Sequence, residues 1–297
     1  MKLYAPRYYL QFKCIADACR HSCCVGWEID VDGETMKKYS LLKDGYGKRI
    51  IESIEMSDPP HFCLGDDERC PHLDGRGLCR IISNLGDEYL CDICREHPRF
   101  YNDTPRGREA GLGLSCEEAC RIILTSDDYG EIIPIGEIGG EAHAEGFDAL
   151  RHRDRILSLL RDETSSYREK LDLISGEYSV SPCDLSDSEA RELLSSLEYL
   201  DEGHRKLFSA YSCETVPAAE HEKPLLRALA YFVYRHLSVA ADEYEIRAAL
   251  GFSLFCERLL ASCTAKCGDI CFAARIVSEE IEYSEDNTEA IMSEFLF

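Results

Sequence analysis

From Phe147 the run FDALRHRDRILSLLRDETSSYREKLDLI places Leu150, Ile156, Leu159, Leu160, Leu171 and Ile174 near a 3.6-residue period with charges between them. That is the pattern of helix burying one face. It recurs in SDSEARELLSSLEYLD, opened by a Ser or Asp cap, in the apolar segment 224–239, in EYEIRAALGFSLFCERLLASC, and from about 267 to 282. Strand-type alternation is sparse. Before residue 120 the pattern changes: Gly, Pro and Asp breakers (DPPH, LGDD, LDGRG, NDTPRGRE) cut the chain into loops and short helices that pack poorly without crosslinks. The stretch EIIPIGEIGGEAHAEG, 131–146, reads as a Gly-rich linker. Its glycines form no dinucleotide site, because no strand precedes a GxGxxG and no βαβ unit surrounds it. The pattern predicts a mainly α chain with a loop-rich, cysteine-bearing metal-cluster part at 1–125, a linker at 126–146, and a helical part at 147–297. The first part is expected to pack on the C-terminal helical bundle.

Composition narrows the chemistry. The 297 residues, 45% of them hydrophobic, suffice for one large core or two modest ones. With 33 basic and 56 acidic residues the net charge is −23, which repels phosphate backbones and anionic lipid, so neither nucleic acid nor membrane is expected as a partner. The apolar stretches LLRALAYFVY and AALGFSLF are shorter than the roughly 20 residues that cross a bilayer. The start MKLYAPRYYLQFKC has no uninterrupted apolar core of an export signal, so a cytoplasmic location is expected. Charge and cysteine are unevenly spread: residues 1–120 carry 11 of the 17 cysteines and a net −5, and residues 121–297 carry 6 and a net −18. An odd total leaves at least one thiol outside any set of disulfides, and thiolates on a metal fit this chain better than disulfides.

The cysteines cluster. Cys14, Cys19, Cys23 and Cys24 follow C-x4-C-x3-CC, and adjacent cysteines seldom pair with each other, so the set points to metal ligands. Cys70 in CPHL, Cys79 in GLCRI, Cys91 and Cys94 in CDICREHPRF, and Cys116 in LSCEE continue the series, with Cys63 and Cys120 as further members. Zinc usually takes pairs of CxxC knuckles, and only Cys91 and Cys94 have that spacing. Irregular spacing favours an iron-sulfur cluster, 4Fe-4S in type, with zinc as the alternative. His21, His61, His72 and His97 could replace a thiolate but read as ordinary surface histidines. The triplet Cys263, Cys267, Cys271 has period four and predicts one stripe along a helix.

Taken in order, F-K-C at 12–14, the C-x3-CC-x2-W of Cys19 to Trp27, CPHL, GLCRI, the CREHPR of Cys94 to Arg99 and LSCEEACRIIL resemble the flagellin lysine-N-methylase family. The N-terminal portion of that family is related to small cysteine-rich zinc- or iron-chelating domains. The similarity continues in LRHRDRILSLLRDETSSYREKL, in FVYRHL and in EEIEYSEDN at 279–287, and covers about residues 4–295. The chain departs from the family at EEACR and in the extra Cys63, Cys91, Cys120 and the 263–271 triplet. The resemblance implies transfer of methyl groups from S-adenosylmethionine to lysine ε-amines of a protein with exposed lysines, flagellin in that family. It implies as metal ligands Cys14, Cys19, Cys23, Cys24, Cys70, Cys79, Cys94 and Cys116. Glu282, Tyr283 and Asn287 are the catalytic candidates, and Arg235, Arg99 and Trp27 the cofactor-binding ones. Attack on a sulfonium methyl needs a neutral amine, so such a site must desolvate the lysine or supply a base. The competing function is a non-enzymatic metal-binding or redox-sensing protein with a structural site.

Overall fold

The structure is a computed structural model that describes residues 1–139 and 147–296. It divides into two compact units, Lys13–Pro98 and Met1–Phe12 with Arg99–Phe297. These divisions differ from the expected parts at 1–125, 126–146 and 147–297. The reason is a sheet that draws together segments the sequence holds far apart. Of the expected linker, 132–137 is a strand, and 140–146 lie outside the described residues.

In the smaller unit, helices α1 (Gly33–Leu41) and α2 (Gly45–Glu52) precede a two-stranded ladder, β2 (Ile54–Glu55) with β3 (His61–Phe62), and the short helices α3 (Arg80–Leu85) and α4 (Asp92–Glu96) follow. Asp32 and Asp44 cap α1 and α2, their carboxylates accepting from backbone N–H groups of the first turn. The core is thin. Its buried apolar side chains number nine over 86 residues, and two of them are Cys70 and Cys91. So small an apolar core usually needs covalent or metal staples.

The larger unit combines a mixed sheet with helices. Its strands are β1 (Lys2–Pro6), β4 (Arg99–Thr104), β5 (Gly107–Leu112) and β6 (Ile132–Glu137), in the order β4-β5-β1-β6. β4 and β5 form an antiparallel hairpin, β1 runs parallel to β5, and β6 runs antiparallel to β1. Pro134 is accommodated because β6 is an edge strand. Nine helices accompany the sheet among the described residues: α5 (Glu117–Thr125), α6 (Ala149–Arg161), α7 (Tyr167–Tyr178), α8 (Asp187–Ser196), α9 (Glu202–Phe208), α10 (Ala219–His236), α11 (Glu243–Cys267), α12 (Ile270–Val277) and α13 (Glu285–Ser293). The run from Phe147 thus makes two helices, the second opened by a capping box of Ser166 and Glu169. The mainly helical expectation holds, and the mixed sheet is the addition. Among the described residues, fifty buried apolar side chains form one core here. Arg153 of α6 is buried against Glu109 of β5 and donates to Ser238, which ties helix to sheet through a paired charge.

Two expectations change. The cysteine triplet does not lie on one helix: Gly268, at φ +76, ends α11 in the left-handed conformation, and Asp269 caps α12, so Cys271 belongs to the next helix. And α11 is long and apolar enough to cross a membrane by length and composition, although 94% of its most apolar window is buried inside the protein. That burial marks it as the central core helix of the unit.

Gly111 tests the packing of sheet against helix. A Cβ there would lie 2.1 Å from Phe100 Cζ, and Phe100 is held between Tyr231, Tyr234 and the guanidinium of Arg235. Gly111→Ala is expected to lower stability by about 1–3 kcal/mol, the usual cost of overpacking, measured by urea unfolding.

Candidate functional site

In the smaller unit five thiols converge. Cys24, Cys70, Cys79 and the pair Cys91 and Cys94 come from four segments and sit in or against one apolar cluster. Each is in electrostatic reach of others: burial pushes the Cys70 thiol up to about 12, with Cys24, Cys79 and Cys91 adding to it, and Cys79 rises for the same reasons. Two pairs share protons. A hydrogen bond from Cys23 holds Cys24 down to about 7, assisted by Ser22 and Arg69. Cys94, whose own thiol is pushed far up by its bond to Cys91 and by burial, lowers Cys91, and Tyr39 contributes with its hydroxyl 3.7 Å from the Cys91 sulfur. Tyr39 also donates to the Tyr89 carbonyl at 2.7 Å, so α1 is fixed against the loop that leads into Cys91.

The expected ligands therefore separate into groups. Cys24, Cys70, Cys79 and Cys94 meet. Cys91, left out of the expected set, is the most buried member of the constellation. Its signal was present in the CxxC spacing with Cys94. Cys14 and Cys23 are exposed, and Cys19 donates to the His21 carbonyl within the N-terminal stretch of the unit. Cys116 belongs to the larger unit, where it is the N-cap residue of α5 near Cys120, whose thiol is hydrogen-bonded to Cys271 of α12. Of the histidines, His72 is buried, with its pKa lowered to about 4 by burial and by Arg80, and its Nε2 lies 3.0 Å from Ser53 Oγ. His61 lies between Glu28 and Glu55. Trp27 is half-buried in the same unit.

Which metal the thiols suit follows from their spacing. Four sulfurs on one zinc, each about 2.3 Å from the ion, would stand less than about 4 Å apart. Among the described residues, the trio with ligand atoms all within 4.8 Å of one another is Cys183, Cys213 and Glu214 of the larger unit.

In the larger unit, Glu282 closes a π-helical turn, Ser278–Glu282, that continues α12, Tyr283 is the residue that caps it, and Asn287 lies in the first turn of α13. Such turns are rare and carry no sequence signature. Glu282 is buried and both its oxygens are occupied: Tyr231 donates at 2.8 Å to Oε2, Ser278 at 2.6 Å to the same atom, and His236 Nε2 lies 2.7 Å from Oε1. Arg235 Nε stands 3.4 Å from Oε1, and its Nη1 donates to Tyr231 at 2.8 Å. Burial alone would raise Glu282, but Arg235, His236 and Ser278 outweigh it and hold the carboxyl below its ordinary range. Burial lowers His236 despite its carboxylate neighbour. The Arg235 guanidinium lies over the rings of Phe100 and Tyr283. Tyr283 is the solvent-facing member, 39% exposed, and partial burial outweighs Arg235 and Ser115 and leaves its hydroxyl above the usual value.

The structure thus brings together Glu282, Tyr283 and Arg235, and adds Tyr231, His236 and Ser278. His236 was one residue from the quoted Arg235. Asn287 does something else. Its Nδ2 donates to the carbonyls of Glu198 and Glu280, and its Oδ1 accepts from Glu198 N–H, which clips the segment after α8 to the π turn. Arg99 donates to the Tyr9 hydroxyl at 3.1 Å and lies over the Tyr9 and Phe12 rings. Tyr231 also lines a cleft with Tyr8, Tyr129, Tyr234 and Arg227 that has ≈10 Å³ of free space, room for about one water and not for a lysine side chain.

Over 133 residues the chain is 32% identical to lysine-N-methylases of Salmonella typhimurium and Salmonella choleraesuis, a match taking in 41% of this chain and 32% of each of theirs. Over the same length it is 31% identical to the flagellar biosynthetic protein FliU of Salmonella muenchen, of which the match covers 77%. The chain belongs to the lysine-N-methylase and FliU family. It matches only about a third of the length of the two lysine-N-methylases. No family model and no solved structure matches it.

Proposed function

We propose that the protein is a lysine N-methyltransferase that takes methyl groups from S-adenosylmethionine, with flagellin as substrate and an iron-sulfur cluster on the thiols of its smaller unit. The observation that carries the transferase reading is the similarity to lysine-N-methylases and to FliU. The gathering of Cys24, Cys70, Cys79, Cys91 and Cys94 in one apolar cluster supports a thiolate-bound metal centre, and their irregular spacing along the chain favours a cluster over zinc. When bound, such a cluster would supply a rigid anionic centre that joins the cysteine-bearing segments of a thin core. The chain's own residues supply the rest. Tyr231 is held by Arg235 and Glu282 so that its hydroxyl proton points to a carboxylate, and Tyr283 presents its ring at the surface above Arg235. Both oxygens of Glu282 are taken up by Tyr231, Ser278 and His236, so any part it takes in moving a lysine proton runs through one of these partners, and it acts as a positioning residue.

Two measurements test this reading. Protein purified without oxygen is expected to contain iron and acid-labile sulfide, and zinc without iron would remove the cluster. Incubated with radiolabelled S-adenosylmethionine and flagellin, it is expected to label lysines of flagellin. Metal-loaded protein that neither binds the donor in calorimetry nor labels flagellin would instead support a non-enzymatic metal-binding role.

A further inference from the structure

We propose that the smaller unit carries an oxyanion-binding pocket between α2 and α3, built around Arg49 and Arg80, that takes a small ligand bearing a carboxylate or a phosphate. Tyr46, Arg49 and Ser53 follow one another at i, i+3 and i+7 along one face of α2 and its C-cap, and Arg80 and Asn84 stand at i and i+4 on α3. With Pro71 and His72 they line an open pocket of about 310 Å³.

The pocket's wall is one-sided in charge. The unit holds 17 acidic and 11 basic residues, yet no carboxylate lines this pocket. Most other arginines of the unit have a carboxylate within ion-pair distance, Arg69 with Asp67, Arg76 with Asp74 and Arg95 with Asp92. Arg49 and Arg80 have none among the described residues, and Arg49 rests instead over the Tyr46 ring at 5.6 Å. A second observation points to a ligand: the Tyr46 hydroxyl is buried without a hydrogen-bond partner, a state that costs free energy until something fills it. Ser53 is already committed, donating to the Ile50 carbonyl at 2.7 Å, so its oxygen accepts from His72 Nε2–H and the floor of the pocket is fixed. Two guanidinium forks on one concave surface match the acceptor geometry of an oxyanion. Pro71 and His72 follow Cys70, and Arg80 follows Cys79, so the pocket shares its segments with the thiol constellation.

The test uses the full chain at constant ionic strength, titrated by calorimetry with inorganic phosphate and with acetate. At least one is expected to bind saturably, and the Arg49→Gln/Arg80→Gln double variant to lose at least about tenfold in affinity for each arginine removed. Arg80→Lys keeps the charge without the fork and is expected to lose only part. Arg76→Gln, in the same unit but outside the pocket, is expected to bind as wild type. Because Arg49 and Arg80 are exposed and unpaired, the double variant should melt with wild type in chloride and lack only the rise in Tm that the anion brings. Phosphate binding without acetate binding identifies a phosphate-bearing ligand, and acetate binding a carboxylate-bearing one. No saturable binding by folded wild type, or equal binding by the double variant, would overturn the proposal. The probes are inorganic phosphate and acetate, so the result stands whether or not the protein transfers methyl groups.

Discussion

Cys91→Ala is expected to lose most of the iron from anaerobically purified protein and to unfold the smaller unit, whereas Cys14→Ala and Cys63→Ala keep wild-type iron. Cys91 is 1% exposed, hydrogen-bonded to Cys94 and in contact with Tyr39, and so belongs to both the thiol constellation and the apolar core. Cys14 and Cys63 are exposed. The expected size follows from the thinness of the core, nine buried apolar residues in 86. A metal that binds only the folded unit contributes its binding free energy to folding, about 10–16 kcal/mol for structural zinc and a guide to the scale here. That exceeds what so small a core can supply alone. Iron, sulfide and visible absorbance per chain, read beside far-ultraviolet circular dichroism, decide it. Iron retained by Cys91→Ala and lost from Cys14→Ala would move the centre to the N-terminal cysteines.

How legible these features were in the sequence depended on whether a residue's partner was near in the chain. The helices of the larger unit were legible because their signals are local: apolar periodicity, and caps such as Ser166 with Glu169 and Ser186 with Glu189. The sheet was not. Its strands are short, β6 contains Pro134 and Gly136, and β1 finds its parallel partner β5 about a hundred residues away. The turn between β4 and β5 was visible as the breaker TPRG, but FYND and REAGL lack the alternation that would mark the strands around it. Among the cysteines, grouping by sequence density favoured Cys14, Cys19 and Cys23. Burial favours Cys70 and Cys91, each isolated from the dense cluster along the chain. The buried use of Glu280 and Glu282 was likewise hidden, because their partners His204 and Tyr231 are brought to them by helix packing and by a π turn.

Glu282→Ala is expected to destabilise the larger unit by about 3–5 kcal/mol, because it strands the Arg235 guanidinium, mostly buried, without its carboxylate and leaves Tyr231 and Ser278 without their acceptor. Glu282→Gln keeps the shape and one acceptor and should cost less, about 1–3 kcal/mol. The pH dependence separates the two groups involved. Glu282 is held below its unfolded value, so the stability it contributes is present above about pH 4.3 and lost as pH falls through the folded value. His236 is also lowered in the folded state, so its contribution is complete above about pH 6.5 and falls on acidification. Both act in the same direction, and wild-type stability should decline steadily from about pH 6.5 downward. Without the carboxylate, burial acts on His236 unopposed and lowers it further. Urea unfolding of Glu282→Ala should therefore show a steeper loss between about pH 6.5 and 5 than wild type, followed by a shallower slope below about pH 4.3. A cost constant across that range would mean that Glu282 acts in the fold by shape and not by charge.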